Sequence, residues 1–236
     1  MPNRSALPII PRSLDVQAAD VLRDEILSGA LVPGARLLET DLSERLQLSR
    51  GTIRAALQQL IYEGLVIQFP YRGCMVAGLS SQDAWELYTL RNALEGLAAR
   101  LAAEAMTPEK ANQLEAALEH LIAIVQTNDW KAITDADFAL HKTILQISEH
   151  RRLQQQYKIV EHQIRLYIAS CNALESNPDK LIEQHRELIE AICSGNAAIA
   201  EQIAKDHNSE GQTLIQQLQA AEQSIAAETT APPHPS

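Results

Sequence analysis

Three cysteines in 236 residues are too few for a disulfide framework. Cys74, Cys171 and Cys193 are scattered without CxxC spacing, which also excludes a thiolate zinc finger, and they read as small buried hydrophobes. Long apolar runs are missing as well. The apolar start at Ala6–Ile10 is interrupted by Pro8 and closed by Pro11, and later helical stretches alternate apolar with charged positions. Neither a signal peptide nor a membrane span is expected, so the chain reads as cytoplasmic with no membrane partner. Basic residues are scarce: 20 Lys and Arg against 30 Asp and Glu leave a net charge of −10. Such a deficit ordinarily disfavours nucleic acid, which needs a local positive surface.

The deficit is confined to one part of the chain. Residues 1–78 contain no lysine, eight arginines and eight acids, for a net charge of zero, whereas residues 79–236 hold twelve basic and twenty-two acidic groups. This segregation, with 46% hydrophobic content and a length suited to two ordinary domains, predicts a globular two-domain protein. Within 50–72, Arg50, Arg54 and Arg72 face only Glu63, so a small basic patch can form on a neutral domain. The planar fork of Arg suits phosphates and guanine edges.

In the first domain, Ala18, Val21, Leu22 and Ile26 recur at helical spacing and Gly29 stops the helix. Val32-Pro33-Gly34 is a turn. A short helix over about 40–46 uses Leu42 and Leu46, and Gln47-Leu48-Ser49 links it to a second helix capped by Ser49. Ile53, Leu57, Leu60 and Ile61 form the buried stripe of that helix before Gly64 ends it. This is a helix-turn-helix pattern, with Arg50, Gly51, Thr52, Arg54 and Gln58 on the open face at the end that enters a major groove. Leu65–Phe69 and Cys74–Ala77 then flank Pro70-Tyr71-Arg72-Gly73, which predicts a hairpin wing with Arg72 at its tip. An all-helical small domain with solvated arginines is the alternative.

Leu22–Gly29, Pro33–Leu37, Asp41–Leu46, Ser49–Leu57 and Glu63–Val66 closely resemble, in order, the DNA-binding domain of GntR-type transcriptional regulators. By matching position the resemblance implies operator contacts from Ser49, Arg50, Arg54 and the wing Gly73. Thr52 and Arg72 join them from the helix-turn-helix reading. Thr40 and Gly51 depart from the common family pattern, which has a basic residue and a Thr there.

From Ser81 to about Ile225 no convincing strand appears, and capping signals divide the segment into about six helices, predicting an antiparallel bundle. Thr107-Pro108, Asn128-Asp129, Asn177-Pro178, Gly195 and Asn196 mark the breaks, with the last helix running on from Asn196. The expected organisation is a flexible arm at 1–13, a winged helix-turn-helix at 14–78, an all-α domain at 79–225 and a disordered tail at 226–236. The fold class is therefore mainly α, with a small β-hairpin wing.

The histidines separate by face. Asp137 and His141 sit one turn apart, in register with Ile133 and Ile144. His185 lies with Leu181, Leu188, Ile189 and Ile192, and His207 with Ile203, Leu214 and Leu218. All four polar side chains are thus expected to point inward, whereas His120, His150, His162 and His234 are expected to be solvated. Unpaired buried polar groups cost roughly a few kcal/mol each. A divalent ion removes that cost. Three His and one Asp suit zinc first, and also nickel, manganese or iron. An Asp137–His141 pair on a helix surface and individually satisfied core histidines are the alternatives.

Leu90-Arg91, Leu94-Glu95, Ala98-Ala99, Asp137-x-x-x-His141, the run from His185 to Gly195, and His207 resemble the FCD effector domain of the FadR branch of GntR regulators over about 83–220. The resemblance implies Asp137, His141, His185 and His207 as metal ligands and Arg91 as a contact for a small carboxylate effector. Arg91 lies one turn from Glu95, so an i,i+4 ion pair is the simpler reading of it. Together these patterns predict a homodimeric, metabolite-responsive repressor that binds an inverted-repeat DNA operator and is not an enzyme. A purely structural metal without organic effector, and a metal-dependent hydrolase, are the alternatives.

Overall fold

The computed structural model describes residues 12–172, 174, 177–208 and 210–230. The chain divides into two compact units, Met1–Gly78 and Leu79–Ser236.

The first unit contains α1 (Leu14–Leu27), β1 (Arg36–Leu37), α2 (Glu39–Leu46), α3 (Arg50–Tyr62), β2 (Val66–Phe69) and β3 (Gly73–Val76). Leu22, Ile53, Leu57, Leu60 and Leu65 are fully buried and form its core. The tight link between α2 and α3 turns at Gln47, whose φ is +54°, and the Leu48 N–H donates to Ser43 O at 3.1 Å. Ser49 then caps α3 by accepting from Thr52 N at 3.1 Å. Gly64, with φ of +73°, ends α3 and lets Leu65 N–H reach back to Leu60 O. Arg23 of α1 donates to both Glu63 oxygens, at 2.7 and 2.6 Å, and so fastens α1 to the end of α3.

The wing is present, with Val66 opposite Val76 and Phe69 opposite Gly73. It has one strand more than the hairpin pattern predicts. β1 pairs antiparallel with β3, giving the order β1-β3-β2. Two residues offer no alternation to detect, so this strand is set by the turn at Pro33-Gly34, where Gly34 N–H donates to Val76 O at 3.0 Å.

The second unit is helical throughout: α4 (Ser81–Glu104), α5 (Pro108–Val125), α6 (Trp130–Ile147), α7 (Arg151–Asn172), α8 (Pro178–Cys193), α9 (Ala197–His207) and α10 (Glu210–Thr230). Ser80 and Asp83 form a reciprocal capping box, and Thr107, Asp129, Asn177 and Asn196 cap the helices that follow. α4 is the central helix, against which α6, α7, α8, α9 and α10 all pack.

The described residues thus form seven helices in this unit where the capping pattern predicts about six. The extra break falls at Asn208, whose side-chain amide turns onto Asn92 at 2.9 Å and Glu95 at 3.4 Å. His207 and Leu214 are seven residues apart, so the apolar phase runs through the break unchanged and hides it. α10 also continues to Thr230, beyond the expected start of a disordered tail at 226. Residues 231–236 and residues 1–11 of the expected arm lie outside the described residues. Arg12 and Ser13 are described: Arg12 pairs with Asp20 at 2.8 Å and Ser13 occupies the N-cap of α1.

Gly211, at the start of α10, has no room for a side chain. A Cβ there would overlap Tyr167 Oη and lie 2.7 Å from Tyr88 Cδ2. Gly211→Ala is expected to destabilise the bundle by about 1–3 kcal/mol through overpacking. Urea unfolding checks it, and adding Tyr167→Phe, which removes the colliding oxygen, should recover part of the loss.

Candidate metal centre and nucleic-acid interface

Asp137 and His141 lie one turn apart on the buried face of α6. His185 of α8 and His207, the last residue of α9, meet them from two further helices. One ligand atom from each of the three histidines lies within 4.8 Å of the other two, and the rings of His185 and His207 are 4.3 Å apart between centroids. Asp137 Oδ1 is 3.3 Å from His141 Nε2 and 3.0 Å from His185 Nε2, while its Oδ2 accepts from Asn172 Nδ2 at 3.0 Å. The three histidines of the expected quartet therefore form one cluster, and Asp137 touches two of them.

The outer partners fix which nitrogen faces inward. His185 Nδ1 donates to Leu181 O at 2.8 Å, and His141 Nδ1 is 3.1 Å from the Glu95 carboxylate. With protons on Nδ1, both Nε2 atoms turn lone pairs toward Asp137 Oδ1, which is itself an acceptor. Acceptors at such distances repel unless a positive charge lies between them. A proton or a metal cation serves. His207 Nδ1 adds a buried nitrogen without a hydrogen-bond partner. Two imidazoles oriented by second partners, a third with an orphaned nitrogen, and one carboxylate fit a divalent cation.

The electrostatics agree with the geometry. Burial alone would raise the Asp137 carboxyl, but the His185 charge and hydrogen bonds from His141 and His185 hold it well below the usual carboxylate range. Burial likewise opposes ionisation of Glu95, and the neighbouring Arg91 and His141 overcome it, so Glu95 is a buried anion. Burial, followed by the charges of His185, His141 and Arg91, pushes His207 well below its ordinary value. His207 is therefore neutral, the form that can donate to a metal. Burial lowers the basicity of His141 and Arg91 lowers it too, yet Glu95 and Asp137 outweigh both and raise it. Positive charge is favoured at that point.

Arg91 enters the same cluster from α4. Nearly fully buried, it donates Nε–H to Glu95 Oε1 at 2.9 Å and lies with Nη2 2.8 Å from His141 Nε2. Its i,i+4 ion pair with Glu95 is thus real but sits inside the bundle rather than on its surface. Arg91, Asp137, Tyr167, Asn172, His185 and His207 line a partly open recess with a cavity volume of about 30 Å³. The single lone pair of His141 Nε2 can face Arg91 or a cation, not both.

In the first unit the expected DNA-contacting residues fall at the N-terminus of α3 and on the wing. Ser49, Arg50, Arg54, Arg72 and Gly73 are exposed and Thr52 is half-buried. Gly73 has φ of +82°, a conformation that glycine adopts without strain at the wing turn. Two groups are already engaged. The Ser49 and Thr52 hydroxyls bond each other at 2.8 Å, and Arg54 donates Nε–H and Nη2–H to the two oxygens of Glu39 at 2.9 and 2.7 Å.

Known proteins share both units. Residues 14–76 match the gntR family of bacterial regulatory proteins, and residues 86–210, more than half the chain, match the FCD domain. The chain belongs to the GntR family. A galactonate operon transcriptional repressor of Escherichia coli is 29% identical to it, over 78% of this chain and 88% of the relative. A probable D-xylose utilization operon transcriptional repressor of Paenarthrobacter nicotinovorans is 25% identical, over 81% and 84%. The crystal structure of a GntR regulator from Rhodococcus sp. RHA1 superposes with a TM-score of 0.72 at 26% identity, covering 86% of this chain and 98% of that one. This GntR protein is accordingly a transcriptional regulator and not an enzyme, which sets aside the hydrolase reading. Among the described residues no helix is long and apolar enough to cross a membrane.

Several side chains at the site escape sequence reasoning. Glu95 registers there only as a partner for Arg91, yet it also accepts from Tyr157 Oη at 2.9 Å and faces His141. Asn172 and Asn208 stand at helix ends, where asparagine is common for capping alone. Among the histidines expected to be solvated, His150 accepts from Leu153 N at 3.1 Å and caps α7, and His234 lies outside the described residues.

His185→Ala and His207→Ala are each expected to lower the divalent metal recovered with the purified protein, measured by elemental analysis. Unchanged occupancy in either variant removes that residue from the ligand set. Glu95→Gln should weaken metal affinity by about ten- to a hundredfold, the usual loss when the outer partner of a ligating histidine is removed.

Proposed function

We propose that this GntR regulator is a homodimeric repressor, acting in the cytoplasm, whose C-terminal bundle holds a divalent metal and a small carboxylate effector that modulates operator binding. Asp137, His141, His185 and His207 are the metal ligands, zinc being the leading candidate, and Ser49, Arg50, Thr52, Arg54, Arg72 and Gly73 form the surface toward an inverted-repeat DNA site. The observation that carries the reading is the convergence of the three histidines, two of them in contact with Asp137, beside a recess that also contains Arg91.

The charge balance favours an anionic ligand. With neutral imidazoles, Arg91, Glu95 and Asp137 sum to −1. A bound divalent ion takes the centre to +1 and supplies a Lewis-acidic position for a carboxylate oxygen. Arg91 then contributes the geometric selectivity: its planar fork matches two carboxylate oxygens, and Glu95 holds the other edge of the guanidinium fixed. Tyr167 and Asn172 wall the recess, whose cavity of about 30 Å³ must widen to admit an acid. Because one relative is a galactonate operon repressor, sugar acids are the first compounds to test.

Acid binding alters operator affinity only if the acid binds two arrangements of the bundle unequally. Release from the operator is the expected sign. A second reading, a structural metal with no organic effector, is favoured by one observation: Arg91 is already doubly engaged, with Glu95 and His141.

Operator binding titrated with candidate acids in the presence of zinc separates the two, since acid-independent binding supports the structural metal. A true effector at a hundred times its dissociation constant should stabilise the bundle by about 2.7 kcal/mol. That corresponds to a rise in melting temperature of roughly 5–10 °C for a domain of this size. Arg91→Gln should abolish the rise while leaving metal content intact, and a persisting rise would remove Arg91 from the effector site.

A further inference from the structure

We infer that Glu39 is a positioning residue for DNA reading: its carboxylate takes one edge of the Arg54 guanidinium and leaves the other edge presented for a guanine. The inference rests on the proposed reading of α3 as the helix that enters the major groove.

Arg54 lies one turn into α3, past the Ser49 cap, and its side chain is 63% exposed. A free arginine there would sample many rotamers. Instead Nε–H and one Nη2–H are spent on the two Glu39 oxygens, in a parallel fork-to-fork pair. Nη1 has no partner among the described residues. The donors left over are those of Nη1 and the outer N–H of Nη2, a second edge with the same two-donor spacing. That edge matches the O6 and N7 acceptors of guanine.

Glu39 is itself well placed to hold its position. It is the first residue of α2, where the helix dipole favours a carboxylate. The Arg54 hydrogen bond, against a smaller opposing effect of burial, and the nearby charges of Arg54 and Arg50 keep it ionised below the usual carboxylate range. The pair therefore links the two helices of the helix-turn-helix at their outer face.

A carboxylate so close to a DNA-facing arginine has two opposite consequences. It repels phosphates, which weakens sequence-independent binding that depends on net positive charge. It also orders the guanidinium before DNA arrives, which lowers the cost of a directional base contact. Both effects raise the ratio of specific to non-specific binding. Arg50 and Arg72, which make no comparable ion pair among the described residues, remain available for phosphates.

The test is a selection of binding sites from a random duplex library by the purified full chain, as wild type, Arg54→Ala, Glu39→Gln, Glu39→Asp and the Arg54→Ala/Glu39→Gln double variant. Circular dichroism melts confirm that each is folded. The wild type should select a motif containing a guanine whose preference disappears in Arg54→Ala. Glu39→Gln should select the same motif with that preference reduced roughly five- to tenfold, while duplexes lacking the motif bind as well or better. Glu39→Asp should fall between, and Glu39→Gln should add nothing in the Arg54→Ala background. An undiminished guanine preference in Glu39→Gln, or equal tightening on motif and random duplexes, overturns the inference and makes Glu39 a simple competitor. A motif with no guanine dependent on Arg54 overturns it too. A wild-type chain that selects no motif under any metal or acid condition overturns the reading of α3, and this inference with it.

Discussion

Glu95 is a carboxylate only 4% exposed, in the middle of a helical bundle, and much of the site follows from how its charge is neutralised. Transfer of an isolated anion to such a place costs several kcal/mol even after relaxation, so partners on every side are required. Arg91 supplies the opposite charge from one turn away, His141 approaches from α6, Tyr157 donates from α7, and the Asn208 amide closes the last direction after α9. One buried charge thus prescribes where four helices meet. The same requirement orients the imidazole of His141: a proton on Nδ1, held by Glu95, leaves Nε2 facing Arg91 and Asp137.

The N-terminal domain solves the opposite problem, with eight arginines and eight acids in its 78 residues. Arg23 is spent structurally on Glu63, Arg45 on Glu25 and Arg54 on Glu39. These pairings leave Arg50 and Arg72, at the start of α3 and on the wing, as exposed cations without an ion pair among the described residues, and Arg54 exposed with one edge free. A net charge of zero therefore does not prevent a positive surface, because Asp20, Glu25 and Glu63 are engaged by arginines other than Arg50 and Arg72. Bulk charge describes the molecule, whereas groove recognition depends on the few groups that remain unpaired.

How far this was legible in the sequence depends on whether a residue's role is local. Asp137, His141, His185 and His207 are legible because each breaks an apolar stripe at helical spacing, and such an interruption has meaning only if it is buried. Ser49, Gln47 and Gly64 are legible because caps and turns are decided by a few neighbouring residues. Glu95 is not, since Arg and Glu four apart look the same on a solvated face and inside a bundle. Nor is the break at Asn208, which preserves the seven-residue phase between His207 and Leu214. The Arg54–Glu39 pair joins residues fifteen apart across a turn, and only the crossing of α2 and α3 brings them within reach. Tertiary placement, rather than propensity, decides each of these.

The two sites share one design element, a carboxylate that occupies part of a guanidinium and fixes the remainder. Glu95 does this to Arg91 in the bundle and Glu39 does it to Arg54 on the surface. The surroundings make the outcomes different. At the surface the ion pair has little net energy in water, so its effect is chiefly orientational. Inside the bundle the pair cannot be solvated, and any movement of Arg91 away from His141 must be matched by new charge at the vacated position. A cation on the histidines together with an anion on Arg91 meets that condition, whereas either alone leaves a buried charge uncompensated. In the proposed function, metal and acid binding would therefore be coupled through His141 and Arg91, and by linkage each would strengthen the other to the same extent.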